Sequence, residues 1–347
     1  MEYCFSECKN IKINENSVLN AIKCKNSDYM FYKSDLNETN FTFLDILNVE
    51  SMKYCFSECE NIKINDKSIL NIPNCINMDY AFEKTDLNNV IFSYLKFKNL
   101  EMMRNCFAEC KNIKIDEQSF LDLKGLINAE HLFEKCDIKN INFSYINTEN
   151  ILYMPGFLFG CKNITNFHIS SLNIKNVINV DYLFAYCDLT NINISLLNTK
   201  NIKYMKGIFF DCNLTNVDFS SFNTSNVVDM ERMFAYCKSS TKIDLSHLDT
   251  HNVKNMKEMF YNCELTNIDI SSFDAINVED MREMFSQCSN LISLALPPFK
   301  RNKSISMKNL FNNCYSLKEI KLWAIGNENY NNIMIEKRNY PNIKLIF

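Results

Sequence analysis

Two histidines, His247 and His251, stand four residues apart in "HLDTH", a spacing with which a helix aims two imidazoles at one metal ion. The metalloprotease form of that motif also needs a glutamate directly after the first histidine, and here Leu248 follows. The pair falls in the turn before Asn252, so it reads as two surface residues flanking a turn. Sixteen cysteines could supply thiolates or metal ligands, but no Cys-x-x-Cys knuckle occurs, and "CFSEC" has three intervening residues. A Gly-rich phosphate loop and a Gly-x-Ser-x-Gly elbow are both missing. The expectation is a protein without catalytic residues, metal or cofactor.

Carboxylates are arranged more regularly. One short strand per repeat is expected, and its middle outward position reads Asn142, His168, Asn193, Asp218, Asp244, Asp269 and Ala295. Three aspartates on consecutive rungs could hold a cation or face a partner. Calcium wants six or more oxygens, and although Ser220, Ser246 and Ser271 flank the aspartates, Lys242 sets an ammonium beside the middle one. A cation site is disfavoured. Asn193, Asp218, Asp244 and Asp269 are therefore expected to form a strip that binds a protein partner.

What must position these residues is a repeat. The anchor of a "Phe-x-x-Cys" phrase falls at Phe5, Phe31, Phe56, Phe82, Phe107, Phe133, Leu158, Phe184, Phe209, Phe234, Phe260, Phe285 and Phe311. Twelve steps cover the distance from Phe5 to Phe311, about 25.5 residues each, a period that belongs to solenoids. "MEYCFSECKNIKINE" at position 1 is restated as "MKYCFSECENIKIND" at 52 and "MRNCFAECKNIKIDE" at 103, so two turns were duplicated together.

Within a unit, "LTNIDIS" at 265 alternates apolar and polar residues, as a half-buried strand does. Val278, Met281, Met284 and Phe285 then follow Asn277 at the spacing of a narrow helical stripe, with Asn277 as the N-cap. Such a helix and a lone strand are each unstable alone. Stacked rungs about 4.8 Å apart pair the strands and bury the stripe, and thirteen of them would make a body roughly 60 Å long. The fold expected is an α/β repeat solenoid: a leucine-rich-repeat-like stack of about 13 turns, one short parallel strand and one short helix or tight turn per repeat. It should run as one continuous body over 1–324, with 325–347 as an irregular or capping segment.

Eleven cysteines share one column with Ser34 and Thr85. Small buried thiols or hydroxyls at a tight turn explain it, because Ser and Thr match size and weak hydrogen bonding but form no disulfide. Asn226, Asn252 and Asn277 belong to a column expected to cap helices or bond neighbouring backbone groups, and Met230, Met256 and Met281 to a column of adaptable core.

The unit "Cys-x-Leu-Thr-Asn-Ile-Asp-Ile-Ser-Ser-Phe-Asp", continuing to "Asn-Val-x-Asp-Met-x-x-Met-Phe" between Cys263 and Phe285, resembles the roughly 25-residue leucine-rich-like repeat of BspA-like bacterial surface proteins. The match is specific from about Leu158 to Phe311. The resemblance implies a solenoid used for adhesion or for binding extracellular proteins, on a secreted or surface-held chain.

Composition narrows the rest. A formal charge of -4 does not favour nucleic acid, and no apolar run approaches the length of a membrane span. Five glycines and five prolines exclude collagen-like and linker-rich architecture. "MEYCFSECKNIKIN" lacks the features of an export signal or lipoprotein anchor. The function expected is a non-enzymatic protein-binding or adhesion module. The alternative is a structural protein that self-associates end to end through Met1, Cys4 and Phe5 of its first rung.

Overall fold

The computed structural model describes residues 1–347 apart from 10, 239–242, 300–303, 324–326 and 339. The chain forms two compact units, Met1–Asn176 and Val177–Phe347. Each is a parallel β-solenoid in which one repeat makes one rung, and together they hold about 13 turns. Seven of the anchors, Phe5 to Leu158, lie in the first unit and six, Phe184 to Phe311, in the second.

Strands are only two or three residues long, because the chain turns a corner after every few residues. In the first unit Lys12–Ile13 pairs in parallel with Glu38–Thr39, and Leu19–Asn20 with Leu44–Asp45. Leu70–Asn71 with Leu95–Lys96, and Leu121–Asp122 with Ile146–Asn147, repeat the second pairing. In the second unit Asn267–Asp269, Ser293–Ala295, Glu319–Lys321 and Lys344–Ile346 form a four-stranded parallel sheet. Every register pairs a residue with its equivalent one rung on, such as Ile268 with Leu294. In the first of these strands Ile268 points inward while Asn267 and Asp269 are exposed, the alternation its sequence requires.

The phrase read as a helix is instead a pair of tight turns. In "MERMFAYC" the Met233 N–H donates to the Met230 carbonyl at 3.2 Å and the Cys237 N–H to the Phe234 carbonyl at 3.3 Å. Arg232 and Tyr236, third in each turn, have φ of 56° and 62°, which no α-helix contains. The same two positions are left-handed throughout, for example Tyr29 with Lys33 and Glu258 with Asn262. The cause is backbone hydrogen bonding. A two-turn helix leaves four N–H groups and four carbonyls unpaired at its ends. Here the N–H groups of Arg232, Phe234 and Tyr236 reach the carbonyls of Lys257, Met259 and Tyr261 on the next rung at 2.8–3.0 Å. Pairing between rungs outweighs the strain of the left-handed residues, about 1–2 kcal/mol each.

Asn226 accordingly caps no helix. Its amide donates to the Lys200 carbonyl one rung back at 2.8 Å, and Asn252 and Asn277 do the same to Ser225 and His251.

The interior is a file of aromatic rings. In the first unit successive rings from Phe5 to Phe133 stack at centroid distances of 5.1–5.8 Å. In the second, Phe184, Phe209, Phe234, Phe260 and Phe285 stack at 5.4–6.2 Å. Burying each ring contributes on the order of 1.5–3 kcal/mol, which no rung collects without a neighbour.

Beside this file most column cysteines, from Cys59 to Cys314, donate the S–H to the main-chain oxygen of the preceding anchor, as Cys59 does to Phe31 at 2.8 Å and Cys288 to Phe260 at 2.9 Å. Ser34 donates to the Phe5 oxygen and Thr85 to that of Phe56 in the same way. All sixteen thiols are unbridged.

At the end of the second unit, helix α2 (Asn327–Lys337) and the chain after it meet the rung of Phe311. The N–H groups of Ile305, Asn309 and Asn313 donate to Asn329 Oδ1, Glu336 Oε1 and the Tyr340 hydroxyl at 2.7–3.0 Å. Side-chain oxygens thus replace the carbonyls that a following rung would offer, which closes an otherwise unpaired edge.

Candidate functional site

The column of Asn193, Asp218, Asp244 and Asp269 lies at one corner of the second unit. Asn193 pairs with Asp218 in a parallel bridge, and Asp269 ends the strand Asn267–Asp269. Asp218, Asp244 and Asp269 are exposed and Asn193 is half-buried.

All four do the same local work. Each Oδ1 accepts the N–H two residues on: Ser195 for Asn193, Ser220 for Asp218, Ser246 for Asp244 and Ser271 for Asp269, at 2.9–3.0 Å. The serine hydroxyls of Ser246 and Ser271 add bonds of 2.7 and 2.6 Å to their aspartates. These are Asx turns, in which the side chain mimics a backbone carbonyl and bends the chain at the corner. Asn40 and Asn142 hold the equivalent corner in the first unit. The Ser220 amide and hydroxyl keep the Asp218 carboxyl below the usual carboxylate range, so it is ionised at neutral pH. The column is therefore a turn element and a row of negative charge at once.

Two other members of the column depart from expectation. His168 is buried, not outward, because its segment forms a short helix, α1 (Asn166–Ser171), instead of a strand. His168 Nδ1 accepts the Thr165 N–H at 3.1 Å and lies 2.8 Å from the Thr165 hydroxyl, tying the ring to the start of that helix. Ala295 is buried in the sheet. Lys242, expected beside Asp244, lies outside the described residues.

His247 and His251 are exposed, and His251 Nδ1 stands 3.1 Å from Asp274 Oδ2. Among the described residues no group of three or more His, Cys, Asp or Glu side chains could hold a metal ion.

Sequence reasoning passed over the residues between the buried positions of the turn phrase, although their equivalents also stand in columns from rung to rung. In the first unit Tyr3, Tyr29, Tyr54 and Tyr80 stack face to face at 4.6–4.7 Å with planes within 10°. Burial pushes the Tyr54 phenol up to about 12. In the second unit Tyr186, Phe210, Tyr236 and Tyr261 follow one another at 5.1–5.5 Å, but with planes tilted by 48–56°. The signal was present in the sequence, since the four tyrosines of the first unit each fall two residues before an anchor and the four rings of the second unit one or two residues after one.

Three segments, residues 1–120, 127–247 and 236–345, match the model of a family described as "Mycoplasma protein of unknown function, DUF285". No curated protein and no solved structure matches the chain. Among the described residues no helix is long and apolar enough to cross a membrane.

Proposed function

The chain belongs to the DUF285 family, repeat proteins of unknown function, and from that premise we propose that it is a non-enzymatic module that binds a protein partner through the acidic column. The observation that carries this reading is the exposure of Asp218, Asp244 and Asp269 on successive rungs, each pinned by its own Asx turn. Charges held on a rigid frame lose little entropy when they bind, and a row of carboxylates steers toward a basic patch. The reading without catalysis is supported by the column thiols: burial pushes Cys59 and Cys288 up to about 12, far from the range of a working nucleophile. An adhesion role at a cell surface follows the resemblance of Cys263 to Phe285 to the BspA-like repeat, and antibody labelling of intact cells tests it.

The binding test uses substitutions that remove charge and keep the turn. Asp218→Asn, Asp244→Asn and Asp269→Asn retain the Oδ1 acceptor, as Asn193 does natively. The triple variant should keep the thermal midpoint of the parent and lose most capture of its partner from native lysate and culture medium. Undiminished capture would reject this face.

A further inference from the structure

The tilted aromatic ribbon of the second unit is a different surface from the acidic column. Tyr186 and Tyr236 are 50% and 38% exposed, large values for rings this close to a core. They occupy the same position of the turn phrase two rungs apart, with the half-buried Asp211 on the rung between them. Phe210 and Tyr261 occupy the position before, so rings alternate between two columns in a zigzag. Ala185 and Ala235, the small residues of the second column, are fully buried. Tyr182 extends the ribbon, 6.1 Å from Phe210, with its ring where a Cβ on Gly207 would stand.

We propose that this ribbon docks a proline-rich peptide in the polyproline II conformation that carries a basic residue for Asp211. Three observations select that occupant. The first is spacing. Rings of one column recur every two rungs, about 9.6 Å, and a polyproline II helix repeats every three residues, about 9.3 Å. Successive turns of such a peptide would meet equivalent slots.

The second is chemistry. A polyproline helix has no internal hydrogen bonds, so its carbonyls need donors, and tyrosines offer a hydroxyl beside an apolar ring. The third is charge. Lys206, Arg232 and Lys257 beside the ribbon are paired with Glu231 or Glu258 at 2.6–3.1 Å. Asp211 has no ion-pair partner among the described residues, and the surface therefore presents one uncompensated negative charge between two exposed rings. In the first unit the column of Asp211 carries Glu7, Lys33, Glu58, Lys84, Glu109 and Lys135, alternating charges that pair in part with each other.

A sugar chain would instead want neighbouring ring faces nearly coplanar, and these planes differ by about half a right angle. Oligosaccharide binding is the competing outcome of the test.

The experiment measures fluorescence anisotropy of a labelled peptide, Arg-Pro-Leu-Pro-Pro-Leu-Pro-Pro, titrated with the full chain. Its counterpart with alanine for proline and unlabelled cellohexaose as competitor run alongside. The expected result is saturable binding, weakened at least about tenfold by the alanine peptide and by Tyr186→Ala with Tyr236→Ala. Asp211→Asn should weaken the arginine peptide about three- to tenfold and leave a peptide with glutamine for arginine unchanged. If the double alanine variant loses its thermal transition, Tyr186→Phe with Tyr236→Phe replaces it and should cost several-fold through the lost hydroxyls alone. No binding at about 1 mM peptide, equal binding by the variants, or displacement by cellohexaose would overturn the proposal.

Discussion

The Cys263 thiol lies 2.7 Å from the main-chain oxygen of Phe234, one rung behind it. That oxygen also accepts the Cys237 N–H at 3.3 Å within its own turn. One carbonyl thus closes a turn and ties two rungs together, and the arrangement recurs down both units.

Cys263→Ser should retain the tie, since Ser34 makes it natively, and Cys263→Ala should lose it. The alanine variant is expected to lose about 1 kcal/mol, one net hydrogen bond, and the serine variant less. Urea denaturation checks the order. Equal losses would show that the column is held by packing alone.

Thiol reactivity follows from the same burial. Desolvation pushes Cys59, Cys75, Cys136 and Cys288 up to about 12, which leaves almost no thiolate at neutral pH. Native protein treated with an aromatic disulfide reagent should react at the exposed Cys4 and the half-buried Cys8 and Cys24, with the thirteen buried thiols following only on unfolding. Fast labelling of the column, mapped by mass spectrometry, would contradict the packing described.

Backbone strain should respond to glycine in opposite directions. Gly207 has a φ of +55°, and a Cβ there would stand 2.3 Å from the Tyr182 ring, so Gly207→Ala should lose about 1–3 kcal/mol. Gln287 is left-handed with a φ of 66° and makes its inter-rung bond through its backbone, so Gln287→Gly should gain about 0.5–1 kcal/mol. Thermal midpoints that moved the same way for both would refute the assignment of these turns.

Acid should destabilise the first unit through His168. Burial lowers its pKa below the ordinary imidazole value, more than the Ile138 carbonyl raises it. As pH falls, the unfolded chain, titrating near about 6.5, takes up the proton first. Its contribution is therefore complete above that pH and is lost as pH falls toward the lower, folded value. The midpoint difference between wild type and His168→Gln should shrink between about pH 7.5 and about pH 5.5. A difference that does not change with pH would exclude this linkage.

The acidic column was legible as an outward row because strand alternation puts Asp269 opposite Ile268 and Ile270. Its second role was not, since Asx turns depend on where the chain bends. His168 shows the limit of column reading: its position in the repeat matched Asn193, but Thr165 started a helix there and carried the ring inside.

By itself the sequence determined the period, the file of aromatic anchors and the in-register parallel pairing, because burying one apolar set per 25 or 26 residues has few solutions other than stacking. Tertiary structure decided what the turn phrase becomes. Met230, Met233, Phe234 and Cys237 are buried in the tight turns and would be buried by a helix too, so periodicity cannot separate the two. The choice lies with backbone groups of the adjacent rung, which accept the N–H bonds a helix would have kept for itself.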